Sequence, residues 1–275
     1  MSPEEKNHSD QTDSVQLDRT PDKISHMFDE IAPRYDLLNH LLSLGIDRSW
    51  RKRTAKEVLA RLDIPNSPVA APFLDVATGT GDLIIELQDR LRRAKAEYSS
   101  DWPSVHDDVS SSVRLLGVDF SRDMLEIGTS KVARRGYQDS IHLMQADGLN
   151  LPFAADSFAG VTIAFGLRNM HDTDRGIAEL VRVCCPGGVV AILEFTMPSV
   201  PLFSGLYRFY FSKCLPRIGQ WISGKKNRAY RYLQQSVVVF DSKVDVQEQL
   251  KNAGLTDITV QHLTFGTVAL YCGRK

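Results

Sequence analysis

The chain has 275 residues, 43% hydrophobic and 24% charged, which fits one large α/β domain with a modest addition and excludes a disordered or fibrous protein. Its 33 Lys and Arg nearly cancel its 34 Asp and Glu, for a net charge of −1, so no global basic field draws it onto nucleic acid. No run approaches the roughly 20 apolar residues that cross a bilayer, and Cys184, Cys185, Cys214 and Cys272 lack the C-x-x-C spacing of a metal or redox pair, so reduced thiols and no metal are expected.

Residues 1–20 open acidic and polar, without the basic and apolar regions of a secretion or transit signal, and read as a disordered tail on a cytoplasmic protein. From Asp22 to about Leu59 the apolar residues Ile24, Met27, Phe28 and Ile31, then Leu37, Leu38, Leu41 and Leu42, recur at helical spacing. Pro33 starts the second helix, giving an N-terminal helical lobe over 21–62. The character then changes. Strands are expected at Pro72–Ala77, Val113–Asp119, Ile141–Ala146, Gly160–Phe165 and Val189–Phe195, with helices at Asp82–Arg93, Arg122–Arg135 and Asp174–Val183 between them. The last of these helices is expected to end at Pro186-Gly187-Gly188. Strands alternating with helices imply a parallel sheet. A further helix, Val246–Ala253, stops at Gly254, and Ile258–Leu263 and Thr267–Cys272 follow as a strand pair joined through Thr264-Phe265-Gly266, which must be antiparallel. The expected fold is therefore Rossmann-like α/β, a mixed, mostly parallel sheet with helices on both faces. Two segments interrupt it: a Ser- and Asp-rich surface insertion at 95–112 and an aromatic, basic helical cap at 200–238.

Gly79 and Gly81 lie between a strand and a helix, where a cofactor can approach the backbone and meet a helix N-terminus. A dinucleotide fingerprint needs a third glycine three residues on, and position 84 is Ile, so a pyrophosphate loop and a nicotinamide oxidoreductase are disfavoured. Asp75 and Asp82 add negative charge that suits the ammonium and sulfonium of S-adenosyl-L-methionine and repels phosphate. Asp119 ends the second strand, where a carboxylate accepts from both hydroxyls of a ribose. Asp147-Gly148 ends the third, offering an acceptor to the adenine amine and a backbone N–H to the ring. Each carboxylate alone reads equally well as a turn residue; at successive strand ends they favour one nucleoside site.

The segments FDEIAPRYDLLNHLLSLGIDRSWR, LDVATGTGD, LPFAADSF, FGLRN, CCPGG, LEF, LPRIG, YRYL and LTFGTVALYCGRK resemble the quinone-biosynthesis C-methyltransferases of UbiE/MenG type, from about Ile24 to Lys275. The resemblance implies a class I S-adenosylmethionine-dependent methyltransferase fold and C-methylation of a polyprenylated quinol, demethylmenaquinol first and a methoxy-polyprenyl-benzoquinol as the alternative. It carries cofactor contacts onto Thr80, Asp119, Asp147 and Gly148, and reactive roles onto Arg168 and Asn169. Ala164 stands where the family often has a serine, and Asp147-Gly148 where Asn-Ala is common. Such chemistry needs an ionised ring hydroxyl, in-line attack on the methyl donor and loss of a ring proton. Arg168 and Asn169 are expected to stabilise the ring oxygens and Tyr35 to orient the ring or pass a proton, with His171 or a water receiving the ring proton. The bland readings are an Arg168–Asp172 surface pair and a turn role for His171. The aromatic cap suits an isoprenoid tail, and its basic residues a transient contact with a membrane surface; a homo-oligomer is allowed. A methyltransferase of another small acceptor and a non-catalytic nucleoside sensor are the remaining readings.

Overall fold

The computed structural model describes residues 20, 23–24, 26–30, 32, 36, 43, 45–62, 71–97, 115–198 and 228–275. Tyr35, the 1–19 stretch, most of the expected insertion and the 200–227 part of the expected cap lie outside the described residues.

The sheet begins with β1 (Phe73–Val76), whose four residues are all buried, because strands flank it on both edges and helices cover both faces. β2 (Leu115–Asp119), β3 (Ile141–Gln145), β4 (Phe158–Ala164) and β5 (Cys184–Phe195) run parallel to it. β6 (Thr256–Leu263) and β7 (Val268–Arg274) are antiparallel, and the order across the sheet is β3-β2-β1-β4-β5-β7-β6. The strand order reverses between β1 and β4. In open α/β sheets such a reversal leaves a crevice at the carboxyl ends of the strands.

Among the described residues, helices α1 (Asp47–Arg61), α2 (Asp82–Glu97), α3 (Arg122–Arg134), α4 (Thr173–Val183), α5 (Arg228–Lys243) and α6 (Val246–Asn252) pack on the sheet. Short polar side chains start three of them by accepting from a backbone N–H of the first turn: Ser121 from Met124, Asp172 from Arg175 and Asp245 from Glu248. α1 to α3 cover one face, where Val58, Ile84, Leu87 and Val132 share one core with Val189, Ala191 and Leu193 of β5. α4 to α6 cover the other, where Ile177, Leu180, Phe240 and Leu250 meet Val190 and Ile192 of the same strand. Alternate residues of one apolar run thus serve two cores, the period-two pattern of a strand buried on both sides.

β5 departs from the sequence expectation. The helix before it ends at Val183, and Cys184 already pairs with Phe158, so Pro186-Gly187-Gly188 bulges within the strand instead of leading into it. Gly187 has φ +77°, and a Cβ on Gly188 would stand 2.7 Å from the Ala159 carbonyl oxygen, so the bulge requires both glycines. α2 also runs on to Glu97, into the first residues of the expected insertion. Residues 228–238 of the expected cap belong to α5, which buries Val237 and packs Phe240 into the second core.

Candidate active site

A cleft with about 870 Å3 of space, part of it open to solvent, lies at the carboxyl ends of β1 to β4. Val76 of β1 and Ala77 after it, Asp119 of β2, Ala146 after β3, Ala164 of β4 and Phe165 after it all line the cleft. Backbone strain collects here. Ala77 (φ +51°) and Phe165 (φ +59°) hold left-handed conformations that non-glycine residues rarely adopt. Gly166 packs against Ala77 so closely that a Cβ would fall 2.4 Å from the alanine's Cβ.

Asp119 lies on the floor. Its carboxylate accepts from the Gly79 N–H at 2.7 Å and the Ser121 N–H at 2.8 Å, which fixes the glycine turn against the start of α3. Burial pushes its carboxyl above the ordinary range, against the pull of those N–H groups. Asp147 is exposed at the rim, with one oxygen accepting from the Leu149 N–H at 2.9 Å. Beside it Gly148 keeps the cradle open, because a Cβ there would sit 2.6 Å from Met170 Cε and 3.1 Å from Val76 Cγ1. Phe120, Met124 and Met170 supply apolar walls, and Ile24 and Phe28 of the N-terminal segment close part of the mouth.

The structure separates the expected cofactor residues into two groups. Gly79, Asp119, Asp147 and Gly148 line the cleft. Asp75 and Thr80 are each 2% exposed and serve the turn from beneath. Asp75 accepts from the hydroxyls of Thr78 and Thr162, both at 2.6 Å, and burial pushes its carboxyl up to about 6. Thr80 donates to Asp36 at 2.7 Å and accepts from Lys131 at 2.8 Å. Gly81, with φ +81°, completes the turn and is buried.

Of the expected reactive residues, Asn169 and His171 line the cleft, and Arg168 does not. Its guanidinium turns into the protein, 4% exposed, because Glu194 is buried there without access to water. Nη1 donates to Glu194 Oε1 at 2.7 Å and to the Phe165 carbonyl, and the Arg168 backbone N–H donates to Glu194 Oε2 at 3.1 Å. The guanidinium carbon lies 5.2 Å from the centre of the Phe195 ring. Neither a surface pair with Asp172 nor direct exposure to the cleft is seen. Asn169 is braced from both sides: its Nδ2 donates to the Phe165 carbonyl, and Tyr232 of α5 donates to its Oδ1 at 3.2 Å. Sequence reasoning passed over Glu194, although an acid inside an apolar strand (VVAILEF) must be paired, and that signal was available. Thr162, Lys131 and Tyr232 left no comparable signal, since their partners lie 49 to 95 positions away in sequence and meet by folding alone.

Comparison with known proteins gives the site its context. Residues 16–275 match the ubiE/COQ5 methyltransferase family. The "Ubiquinone/menaquinone biosynthesis C-methyltransferase UbiE" of Geotalea daltonii is 42% identical over 254 residues, covering 92% of this chain and 97% of that protein. The "Demethylmenaquinone methyltransferase" of Deinococcus radiodurans is 40% identical, covering 92% of each. Among solved structures, an S-adenosylmethionine-dependent methyltransferase of Thermotoga maritima superposes with a TM-score of 0.57 at 13% identity, over 92% of this chain and 99% of that one, a likeness of fold. The expected fold class is thereby met, and the chain belongs to the ubiE/COQ5 methyltransferase family.

Proposed function

We propose that this protein methylates a ring carbon of demethylmenaquinol, with S-adenosyl-L-methionine as donor. Membership of the family and relatives named for quinone biosynthesis support S-adenosylmethionine-dependent quinone C-methylation. The observation that carries the reading to this chain's own residues is the cleft itself: a fixed carboxylate, a glycine cradle and a braced amide share one cavity at the strand-order reversal.

The residues suit the donor. Asp119 keeps lone pairs free to accept from two ribose hydroxyls after its two backbone contacts. Gly148 leaves space for a flat base between apolar walls, with Asp147 at its edge. Among the described residues neither a lysine nor an arginine lines the cleft to call for a phosphate. When bound, the donor supplies an electrophilic methyl group. On the acceptor side Asn169 presents its amide to a ring oxygen and fixes the ring. Arg168 acts through the turn, holding Phe165–Asn169 against Glu194, so its role is positioning. His171 lines the cleft, and it or a water beside it takes the ring proton. Tyr35 stays a proposed ring-orienting residue. Burial pushes the thiols of Cys184 and Cys272 up to about 12, so neither serves as a nucleophile.

The proposal includes a transient contact with a membrane surface, supported by the apolar tail of such a quinol. Among the described residues no helix is long and apolar enough to cross a membrane. The test is transfer of labelled methyl from S-adenosylmethionine to demethylmenaquinol and, in parallel, to a methoxy-polyprenyl-benzoquinol. Labelling of the naphthoquinol is expected. Labelling of the benzoquinol alone would move the protein to the other pathway, and labelling of neither, with donor bound, would overturn the acceptor assignment.

A further inference from the structure

The one side chain within the Gly79-Thr80-Gly81 turn is tied to a charge cluster outside the cleft. Lys131, on α3, donates to Thr80 Oγ1 at 2.8 Å, lies 2.7 Å from Asp82 Oδ1 at the start of α2, and 2.6 Å from Asp36 Oδ2. Thr80 itself donates to the other oxygen of Asp36 at 2.7 Å, which closes a ring of three groups. Asp36 belongs to the N-terminal segment whose Ile24 and Phe28 line the cleft and whose Asp29 accepts from Ser121, the residue that caps α3. Arg51, paired with Asp47 on α1, stands 3.7 Å from Asp82.

We propose that Lys131 is a positioning residue for the methyl donor: its ammonium fixes the glycine turn and docks the N-terminal segment over the cleft in a single contact, so donor binding depends on a residue that never touches the donor. Three observations point this way. The two glycines flanking Thr80 are both left-handed, so the turn has little conformational preference of its own, and its shape is set by what holds it: the Asp119 carboxylate at Gly79, and Asp36 and Lys131 at Thr80. Lys131 is the one cation within reach of both Asp36 and Asp82 in the ion pairs formed by the described residues, and without it two carboxylates would repel across the turn. Its side chain is 19% exposed, and those of Asp36 and Asp82 are 30% and 29%, so the contacts are partly shielded and keep a defined geometry. The Asp29 to Ser121 contact fastens the same segment to the opposite end of the same helix, which leaves α3 as the rail that carries both the turn and the cover.

The inference rests on the cleft being the donor site, and the experiment separates the two. Calorimetry measures the affinity for S-adenosylhomocysteine of the wild type, Lys131→Met, Lys131→Arg, Asp36→Asn and the Lys131→Met/Asp36→Asn pair. Lys131→Met should raise Kd roughly tenfold, the worth of one charge-assisted contact, and Lys131→Arg should restore most of the affinity. In the Asp36→Asn background the Lys131 substitution should matter much less, because its partner on the segment is already neutral. A wild-type Kd in Lys131→Met, or Lys131 and Asp36 effects that simply multiply, would overturn the proposal. Should Lys131→Met not fold, Asp36→Asn and Lys131→Arg decide alone: unchanged affinity in Asp36→Asn would overturn it. Failure of the wild type to bind would instead overturn the assignment of the cleft.

Discussion

Two buried acids carry the sharpest expectations at the residue scale. Asp75 is held protonated more tightly in the fold than in the open chain, since burial lifts its carboxyl from the ordinary 3.8 to about 6. A raised carboxyl favours the folded state at acid pH, and this advantage is lost as pH rises from about 4 through about 6. Asp75→Asn keeps an acceptor for one threonine hydroxyl and a donor for the other, and removes the titration. The stability difference between wild type and variant should therefore drift toward the variant by up to about 3 kcal/mol between pH 4 and 7, read from urea unfolding at each pH; parallel profiles would refute the assignment. Glu194 is the opposite case, a buried charge satisfied by its partner. Arg168→Met strands it and should cost about 3–5 kcal/mol, whereas Arg168→Met/Glu194→Leu should recover most of that stability while turnover stays low, because the Phe165–Asn169 turn is no longer held against β5. A double variant with full turnover would show that the pair does not position the turn. The sequence pointed to Asp119 and Asn169, which line one cleft, because their motifs end strands. It hid the buried destination of Arg168, because the partner that captures the side chain lies 26 residues on and one strand over.

At the scale of elements, the strand and helix order was legible, since apolar runs with turn residues between them have few other solutions. Boundaries were less so where glycine does something other than end an element. Pro186-Gly187-Gly188 looks like a helix stop followed by a strand, yet the strand begins before it and absorbs it as a bulge. Gly166 shows the reverse, an ordinary residue in FGLRN whose importance comes from another element. It lies just past the ends of the parallel strands β1 and β4, against Ala77, with room for hydrogen and nothing larger. Gly166→Ala drives a methyl into the Ala77 Cβ, and neither backbone can yield without disturbing the strained residues Ala77 and Phe165. The expected loss is about 1–3 kcal/mol in denaturant unfolding, with weaker donor binding because the cleft wall moves. Gly79→Ala meets nothing within 4 Å but forces a left-handed φ on a side chain, so its effect should fall on the turn more than on the core.

The whole molecule joins these scales through linkage. One sheet carries two cores, and its carboxyl edge carries the cleft, so a ligand seated there contacts the ends of four strands and the cover from the N-terminal segment at once. Binding to the folded form alone must raise stability by RT ln(1 + [L]/Kd), about 2.7 kcal/mol at a hundredfold excess over Kd. For a domain of this size that corresponds to a rise in Tm of about 5 °C or more. S-adenosylhomocysteine should produce such a rise in the wild type. Asp119→Ala should abolish it, since the substitution removes the carboxylate that faces the cleft and also frees the Gly79 and Ser121 N–H groups. Asp147→Ala should reduce it only partly, because that carboxylate is exposed at the rim and supports a single turn contact. The ranking, more than either value, bears on the assignment: were Asp147→Ala to abolish the shift while Asp119→Ala kept it, the nucleoside would have to lie outward from the strand ends, and the cleft floor would lose its proposed role as the ribose site.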